Sequence, residues 1–507
     1  MTRPGRLGLG AAACLAIALA GHGCAARVER PTLREALEKP TPAEKLRRDL
    51  RQLFQDANVD HANWGVVAFS LSRGELLYSF NAFKLLVPAS SQKLFSAAVA
   101  AERLGWQHRF RTRIVATGPI GPDGTLDGDL VVIGNGDPTI NPRHPERWRA
   151  FDDWAAQLAA RGIRIVSGQL VGDDNAFEEP GWGAGWAWDD LQYGYGAQAS
   201  ALQYHENQVE LLIGPGMEPG ARAVISTSPL GSGLIIDHDV VTGPGGGETR
   251  LEISRVPGTM FLTVRGVIAA DARPRTEYAA VDNPTRMYVN ALREALARHG
   301  IFVAGSALDI DELKVAPDTG RGITLVRDES PPLAEIIDVA LRHSRNIYAE
   351  TLLYALSPEG RPASAEAGLD VMRETLRSWG VTPESYIARD GSGLSRYDYA
   401  SANAFSWLLM YLYSDPTHAE RFRAALPVAG VSGSLERRMK GAAAEGRVVA
   451  KTGSMTSVRS LSGYLTTLDG EPVVFSFLVN GYRVPASEIE AVMDKALDVL
   501  VRYRRTP

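Results

Sequence analysis

The chain of 507 residues is 45% hydrophobic and 22% charged, which provides an ordinary globular core and excludes a mainly disordered or collagen-like protein. Lys and Arg number 54 against 59 Asp and Glu; the net charge of −5 offers no global electrostatic case for binding nucleic acid. The two cysteines, Cys14 and Cys24, sit close to the N-terminus, which excludes a disulfide framework and any Cys-based zinc site. At roughly 150 residues per domain, about three domains fit the length.

The N-terminus carries Arg3 and Arg6 ahead of a short apolar run, Leu7 to Ala20. That run falls below the ~20 residues of a membrane-spanning helix and reads as a secretory signal segment over 1–26. Gly23-Cys24 matches the end of a bacterial lipobox, which would place a lipid on Cys24; Gly21, where such boxes usually have Leu, and ordinary cleavage after Ala26 stand against it. Either route puts the mature protein outside the cytoplasm, in the periplasm, soluble or lipid-anchored. Residues 27–42, with Pro31, Pro40 and Pro42, form a spacer.

From Pro42 the spacing of Leu46, Leu50, Leu53 and Phe54 predicts an amphipathic helix. WGVVAFSL and ELLYSF flank Ser72-Arg73-Gly74 as a strand pair. Pro88 and the serines after it open a helix with Leu94, Ala97, Ala98 and Ala101 inward. Between about Gly118 and Gly266 short Val/Ile/Leu runs alternate with glycines, a β-rich insertion. Helical patterns return at NPTRMYVNALREALARHG and after Pro332. Asp469-Gly470 marks a hairpin near the C-terminus, and Ile489, Met493, Ala496, Leu497 and Leu500 share one face of a last helix. The expected organisation is an α/β (α+β) domain over 43–112 and 285–507, an antiparallel sheet flanked by helices, interrupted by β-rich material over 113–284.

Three short motifs carry chemistry. In Ser90-Ser91-Gln92-Lys93, positions i and i+3 share a helix face, so the hydroxyl and the amine can meet. Serine needs a base to become a nucleophile, and a desolvated lysine near another cation serves as one. Of the eight lysines only Lys93 has Ser three residues before it. Lys451-Thr452-Gly453 occurs once, after an apolar stretch; Lys451 supplies a second cation, Gly453 admits close backbone approach, and Thr452 and Ser454 suit a carboxylate. The third motif, Ser-x-Asn, occurs at Ser79–Asn81, Ser344–Asn346 and Ser401–Asn403; Ser401 reads as a helix cap.

Ser-x-x-Lys, Ser-x-Asn and Lys-Thr-Gly in this order resemble the signature of penicillin-binding proteins and serine β-lactamases. The blocks PASSQKL, VVIGNGDPT, WDDLQYGYGA, SRNIYAETLL, DGSGLSR, VAGVSGSL and AKTGSM resemble the low-molecular-mass class C penicillin-binding proteins, the D-Ala-D-Ala carboxypeptidase/endopeptidase family, from about Trp64 to the end. The long stretch between Lys93 and Ser344 also resembles that family and not a β-lactamase. Arg345 departs from the Asp that relatives often carry and changes the local charge.

The resemblance implies a fold of the β-lactamase/transpeptidase type and an acyl-enzyme on Ser90, with Lys93 as base and Ser344 relaying a proton to the leaving amine. It implies Asn346 orienting the peptide, Lys451, Thr452, Gly453 and Ser454 at the terminal carboxylate, and Asp189, Asp190, Tyr193 and Met455 near the stem-peptide side chain. Peptidoglycan peptides are the implied substrate, β-lactams the inhibitors, and no cofactor or metal is called for. No His-Glu-x-x-His, Walker A motif or complete calcium loop competes with it. Two alternatives stay open at this point: a wall-binding protein with weak catalysis, and an esterase or β-lactamase on the same scaffold.

Overall fold

The computed structural model describes residues 40–56, 59, 61–256, 258–360 and 362–506. The expected signal segment with Cys24, and the spacer as far as residue 39, lie outside the described residues.

A five-stranded antiparallel sheet forms the centre of the catalytic part, in the order Val448–Met455, Val458–Thr466, Pro472–Asn480, Asn63–Ser70, Glu75–Phe80. The N-terminal hairpin thus completes a sheet begun by the C-terminal strands, with Val66 opposite Phe477. Both faces are covered, which is why PVVFSFLVN is apolar almost throughout rather than alternating. Val66, Ala68, Phe475 and Phe477 face the helices Pro42–Phe54 and Ala486–Arg502, burying Leu46, Leu50, Phe54, Ile489, Met493 and Leu497. Alternate positions, among them Val67, Val474 and Leu478, face an all-helical layer built from Lys93–Leu104, Leu333–Arg342, Asn346–Ala355, Ala365–Ser378 and Ala402–Ser414.

Local expectations hold where they rest on short-range chemistry. Gly470, at φ +82°, turns the last hairpin, and Gly74, at φ +63°, the first. The Ser401 hydroxyl accepts the Ala404 N–H at 3.1 Å, so that Ser-x-Asn is a cap. Lys93–Leu104 is buried over nearly its whole length, which its run of alanines permits.

The inserted segment is a body of its own. A mixed sheet in the order Ala307–Asp309, Leu170–Asp173, Leu130–Ile133, Arg111–Ala116, Ile323–Glu329 packs on the helices Ala150–Ala160 and Pro284–Arg298. Three three-stranded sheets extend it, Arg275–Ala280/Gln208–Gly214/Val224–Ser228, Ile235–Gly243/Phe261–Ala269/Arg250–Arg255 and the short Phe302–Val303/Ile165–Val166/Thr125–Leu126. The chain passes in and out side by side: Phe110 N–H donates to Ser330 Oγ and Ser330 N–H to Phe110 O, both at 2.9 Å. Helix Pro284–Arg298 and the strands up to Glu329 were expected in the peptidase part. They bury Met287, Tyr288, Leu292, Leu296, Leu325 and Val326 in the core of the insertion instead. We therefore draw its boundaries at Phe110 and Ser330. Nor is it β-rich throughout, since helix Ala150–Ala160 buries Phe151, Trp154, Ala155 and Leu158 at helical spacing.

Candidate active site

The motif serine lies in a single tight turn, Ala89–Gln92, which runs directly into the buried helix that begins at Lys93. Ala89 is held at φ +47°, a conformation a non-glycine residue rarely adopts. Two glycines confine the turn. A Cβ on Gly453 would lie 2.1 Å from Ser460 Oγ, 2.7 Å from Pro88 O and 3.1 Å from Ser90 N; one on Gly393 would lie 1.9 Å from Ala89 O. The Lys-Thr-Gly glycine is thus required because its strand presses against the nucleophile's backbone. Ser460 Oγ ties the two together, donating to Pro88 O at 2.6 Å and meeting Ser91 Oγ at 2.7 Å.

Lys93 Nζ is fully buried and has three partners: Ser90 Oγ at 2.8 Å, Asn346 Oδ1 at 2.7 Å and Ser392 O at 2.6 Å. Two of these are carbonyl oxygens that can only accept; the third is a hydroxyl that can donate. A neutral amine spends its two N–H bonds on the carbonyls and turns its lone pair to the Ser90 O–H. Burial pushes Lys93 down to about 7; the charges of Asp390, Glu350 and Asp398 oppose that shift, and Arg345 adds to it. Asn346 is oriented from its other end, where Nδ2 donates to Tyr195 O at 2.7 Å.

Lys451 Nζ, also fully buried, reaches Ser344 Oγ at 2.8 Å and Thr452 O at 2.7 Å. Burial and then the charge of Lys93 drive its pKa well below the ordinary lysine value. Ser344 sits at φ +56°, a second strained residue at the centre. Thr452 Oγ1 is 2.6 Å from Ser434 Oγ. Residues Lys451–Met455 belong to the outermost strand of the sheet, covered by Pro427–Ala429 only as far as Ala450. Its free edge faces a cavity of about 260 Å³ lined by Ser90, Ser344, Asn346 and Ser454 from the motifs.

Asp190 and Met455 also line that cavity. Tyr193 does not; it stacks behind Tyr195, ring centroids 5.4 Å apart, while Asp189 is exposed and its carbonyl accepts from Gln192. Sequence reasoning missed Tyr195, Gly393, Leu394, Arg396 and Thr456 on the cavity wall. It also missed the buried carboxylates beneath Lys93. Glu350, one helical turn after Asn346, accepts the N–H groups of Gly391 and Ser392 at 2.8–3.1 Å. Asp390 accepts those of Gly393 and Ser395 at 2.6 and 2.7 Å and the Trp186 indole N–H at 2.8 Å. Together they fix the loop whose Ser392 carbonyl holds Lys93. The DGSGLSR block was the available signal, since glycines alternating with small polar residues after Asp mark a tight, internally bonded turn.

The sequence profile of the D-Ala-D-Ala carboxypeptidase 3 (S13) family matches residues 46–502. A D-alanyl-D-alanine carboxypeptidase of Actinomadura sp. (strain R39) is 36% identical over 454 residues, 87% of this chain and 82% of that one. The D-alanyl-D-alanine carboxypeptidase DacB of Haemophilus influenzae is 27% identical over 449 residues, 88% of this chain and 90% of that one. Among solved structures, penicillin binding protein 4 (dacB) from Haemophilus influenzae superposes with a TM-score of 0.78 at 26% identity, covering 90% of this chain and 99% of that chain. The same protein has been solved in complex with a novel β-lactam, which superposes with a TM-score of 0.72.

Proposed function

The chain belongs to the D-Ala-D-Ala carboxypeptidase 3 (S13) family, and from that premise we propose that it is a penicillin-binding serine carboxypeptidase acting on peptidoglycan stem peptides, with Ser90 as nucleophile. The observation that carries the assignment of roles is the placing of Ser90 Oγ 2.8 Å from a buried lysine whose other two partners are acceptors only.

Neutral Lys93 takes the Ser90 proton as the oxygen attacks the carbonyl between the two terminal D-alanines. The amides of Ser90 and Ser454 hold the oxyanion, fixed in place before charge develops. As the C–N bond breaks, the proton reaches the departing amine through Ser344, whose hydroxyl Lys451 holds. Water then releases the shortened peptide from Ser90. Asn346 and the open edge of Lys451–Met455 align the peptide by strand addition. The leaving residue's carboxylate is bound by Thr452 and Ser454, with the Lys451 amine behind them.

Asp189, Asp190, Tyr193 and Met455 remain the proposed contacts for the stem-peptide side chain; of these Asp190 and Met455 line the cavity. Endopeptidase activity on cross-linked peptides breaks the same kind of bond and is part of the proposal. So are export to the periplasm and lipid attachment at Cys24, which Cys24→Ser tests by membrane fractionation. No helix among the described residues is long and apolar enough to cross a membrane.

Fluorescent penicillin is expected to label the wild type and not Ser90→Ala. Equal labelling of both would remove Ser90 from its role. Labelling with neither D-alanine release from a pentapeptide nor cleavage of cross-linked dimers would favour a wall-binding protein instead, and rapid penicillin turnover a β-lactamase.

A further inference from the structure

Arg345, the middle residue of Ser344–Asn346, does not line the cavity, yet its guanidinium is bonded to a carboxylate from the inserted segment, that of Glu206. Glu206 is 4% exposed and is shared: Oε1 accepts from Arg143 Nε at 2.7 Å, while Oε2 accepts from Gln208 Nε2 at 3.0 Å and also from Arg345 Nη2. The turn that presents it is unusual. His205, Glu206 and Asn207 all adopt left-handed φ, at 53°, 58° and 53°. Three consecutive non-glycine residues there are strained and persist only when the surroundings over-determine them.

The surroundings do so. His205 N–H donates to Ile140 O at 3.0 Å, and His205 Nδ1 meets Gln208 O at 2.8 Å. Asn207 N–H donates to Tyr204 O at 2.9 Å, and Asn207 Nδ2 to Gln198 O at 3.0 Å. The insertion grips the adjacent residue too, since Tyr195 O accepts from Asn346 Nδ2. The motif loop, itself strained at Ser344, is therefore held from outside the catalytic fold at two successive residues.

We propose that the Glu206–Arg345 ion pair is a positioning device through which the inserted segment sets Ser344 and Asn346 against the two buried lysines. The inference rests on the catalytic reading above. Neither residue touches substrate; both act through their neighbours. The pair also bears on the base. Lys93 is faced by Glu350 from helix Asn346–Ala355, by Asp390 and Asp398 from the loop before Ala402, by Lys451 from the edge strand, and by Arg345. Among these Arg345 is the cation that lowers Lys93, and a nearby cation favours the neutral amine.

The test compares wild type, Arg345→Gln, Arg345→Lys, Glu206→Gln and the double variant Arg345→Gln/Glu206→Gln, each confirmed folded by its melting transition. Arg143 still neutralises Glu206 when Arg345 is lost, so the Arg345 variants keep a paired carboxylate. D-alanine release from a pentapeptide is expected to lose 10- to 100-fold in kcat with KM within threefold in each Gln single variant. The double variant is expected to be no worse than the worse single, because both remove one interaction. Arg345→Gln is expected to move the acid limb of the pH profile to higher pH, and Arg345→Lys to restore it. Multiplicative losses in the double variant, or kcat within twofold of wild type in both singles, would overturn the device while leaving Ser90 labelling intact. A wild type that penicillin does not label would instead bring down the catalytic reading, and this inference with it.

Discussion

The sharpest consequence of the site concerns pH. An ordinary lysine with a pKa of 10.5 is neutral in only about 0.03% of molecules at pH 7. Lys93, lowered to about 7 chiefly by burial, is neutral in roughly half of them, a gain of about a thousandfold in free base. The rate of acylation by a fluorescent penicillin should follow the neutral fraction: about a tenth of its plateau at pH 6, half near 7, nine-tenths near 8. The assay is the second-order labelling rate from pH 5.5 to 9.5 at constant ionic strength, with Ser90→Ala as the blank. A rate that is flat down to pH 5.5, or that is still climbing tenfold per unit above pH 9, would refute a neutral Lys93 as base. The same shift enters stability with a definite sign. Between about 7 and 10.5 the unfolded chain binds the Lys93 proton and the native state does not, so this group makes stability rise with pH across that window. Below about 7 both states bind it and the full cost of burial remains. Lys93→Met should therefore lose both acylation and that part of the slope, seen by denaturant titration at pH 7 and 10.

Glu350 works in the opposite sense. Burial and then the Asp390 charge push it up to about 8, so between 4.5 and about 8 the native state holds the extra proton and its contribution to stability falls as pH rises. Glu350→Gln should flatten that slope in urea titrations at pH 5 and 8; an unchanged slope would show that Glu350 is ionised throughout. Gly453→Ala places a methyl 2.7 Å from Pro88 O and 2.1 Å from Ser460 Oγ; it should cost about 1–3 kcal/mol in stability and at least tenfold in acylation, with near-wild-type labelling as the contrary result. Ser434→Ala removes the 2.6 Å partner of Thr452 and should raise KM for the pentapeptide severalfold more than it lowers kcat; a pure kcat effect would place Thr452 elsewhere in the reaction.

What was legible in the sequence was local. Ser90 and Lys93 are three residues apart on one turn, and Asp469-Gly470 is a complete turn by itself, so each carries its geometry within a few residues. Ser-x-Asn is too short for that. Its three copies separate only in space, where Ser401 caps a helix, Ser79 lies in a strand at the sheet edge, and Ser344 meets Lys451. Glu350 was hidden because SRNIYAETLL reads as an ordinary buried helix, and only the Gly391–Ser392 backbone, distant in sequence, makes its carboxylate necessary. Glu206 was equally hidden, as nothing in His-Glu-Asn announces three left-handed residues. Helix Pro284–Arg298 shows its period plainly, but period does not say which core it joins; the Phe110–Ser330 crossing decides that. Helix Ala150–Ala160 carries its signal in Phe151, Trp154, Ala155 and Leu158, which the glycine-rich neighbours on either side mask.

The order of the strands has a bearing on biosynthesis. Asn63–Ser70 is flanked by Pro472–Asn480, so the hairpin made early in translation waits for almost the entire polypeptide before its longer strand gains a second neighbour. Pairings so remote in sequence form slowly. A nascent chain halted anywhere ahead of Val448 lacks the sheet against which the Ser90 turn is pressed, whatever the state of its inserted body. Arrest or cleavage ahead of Val448 therefore yields no partially competent hydrolase, and reactivity arises only with the final sixty residues.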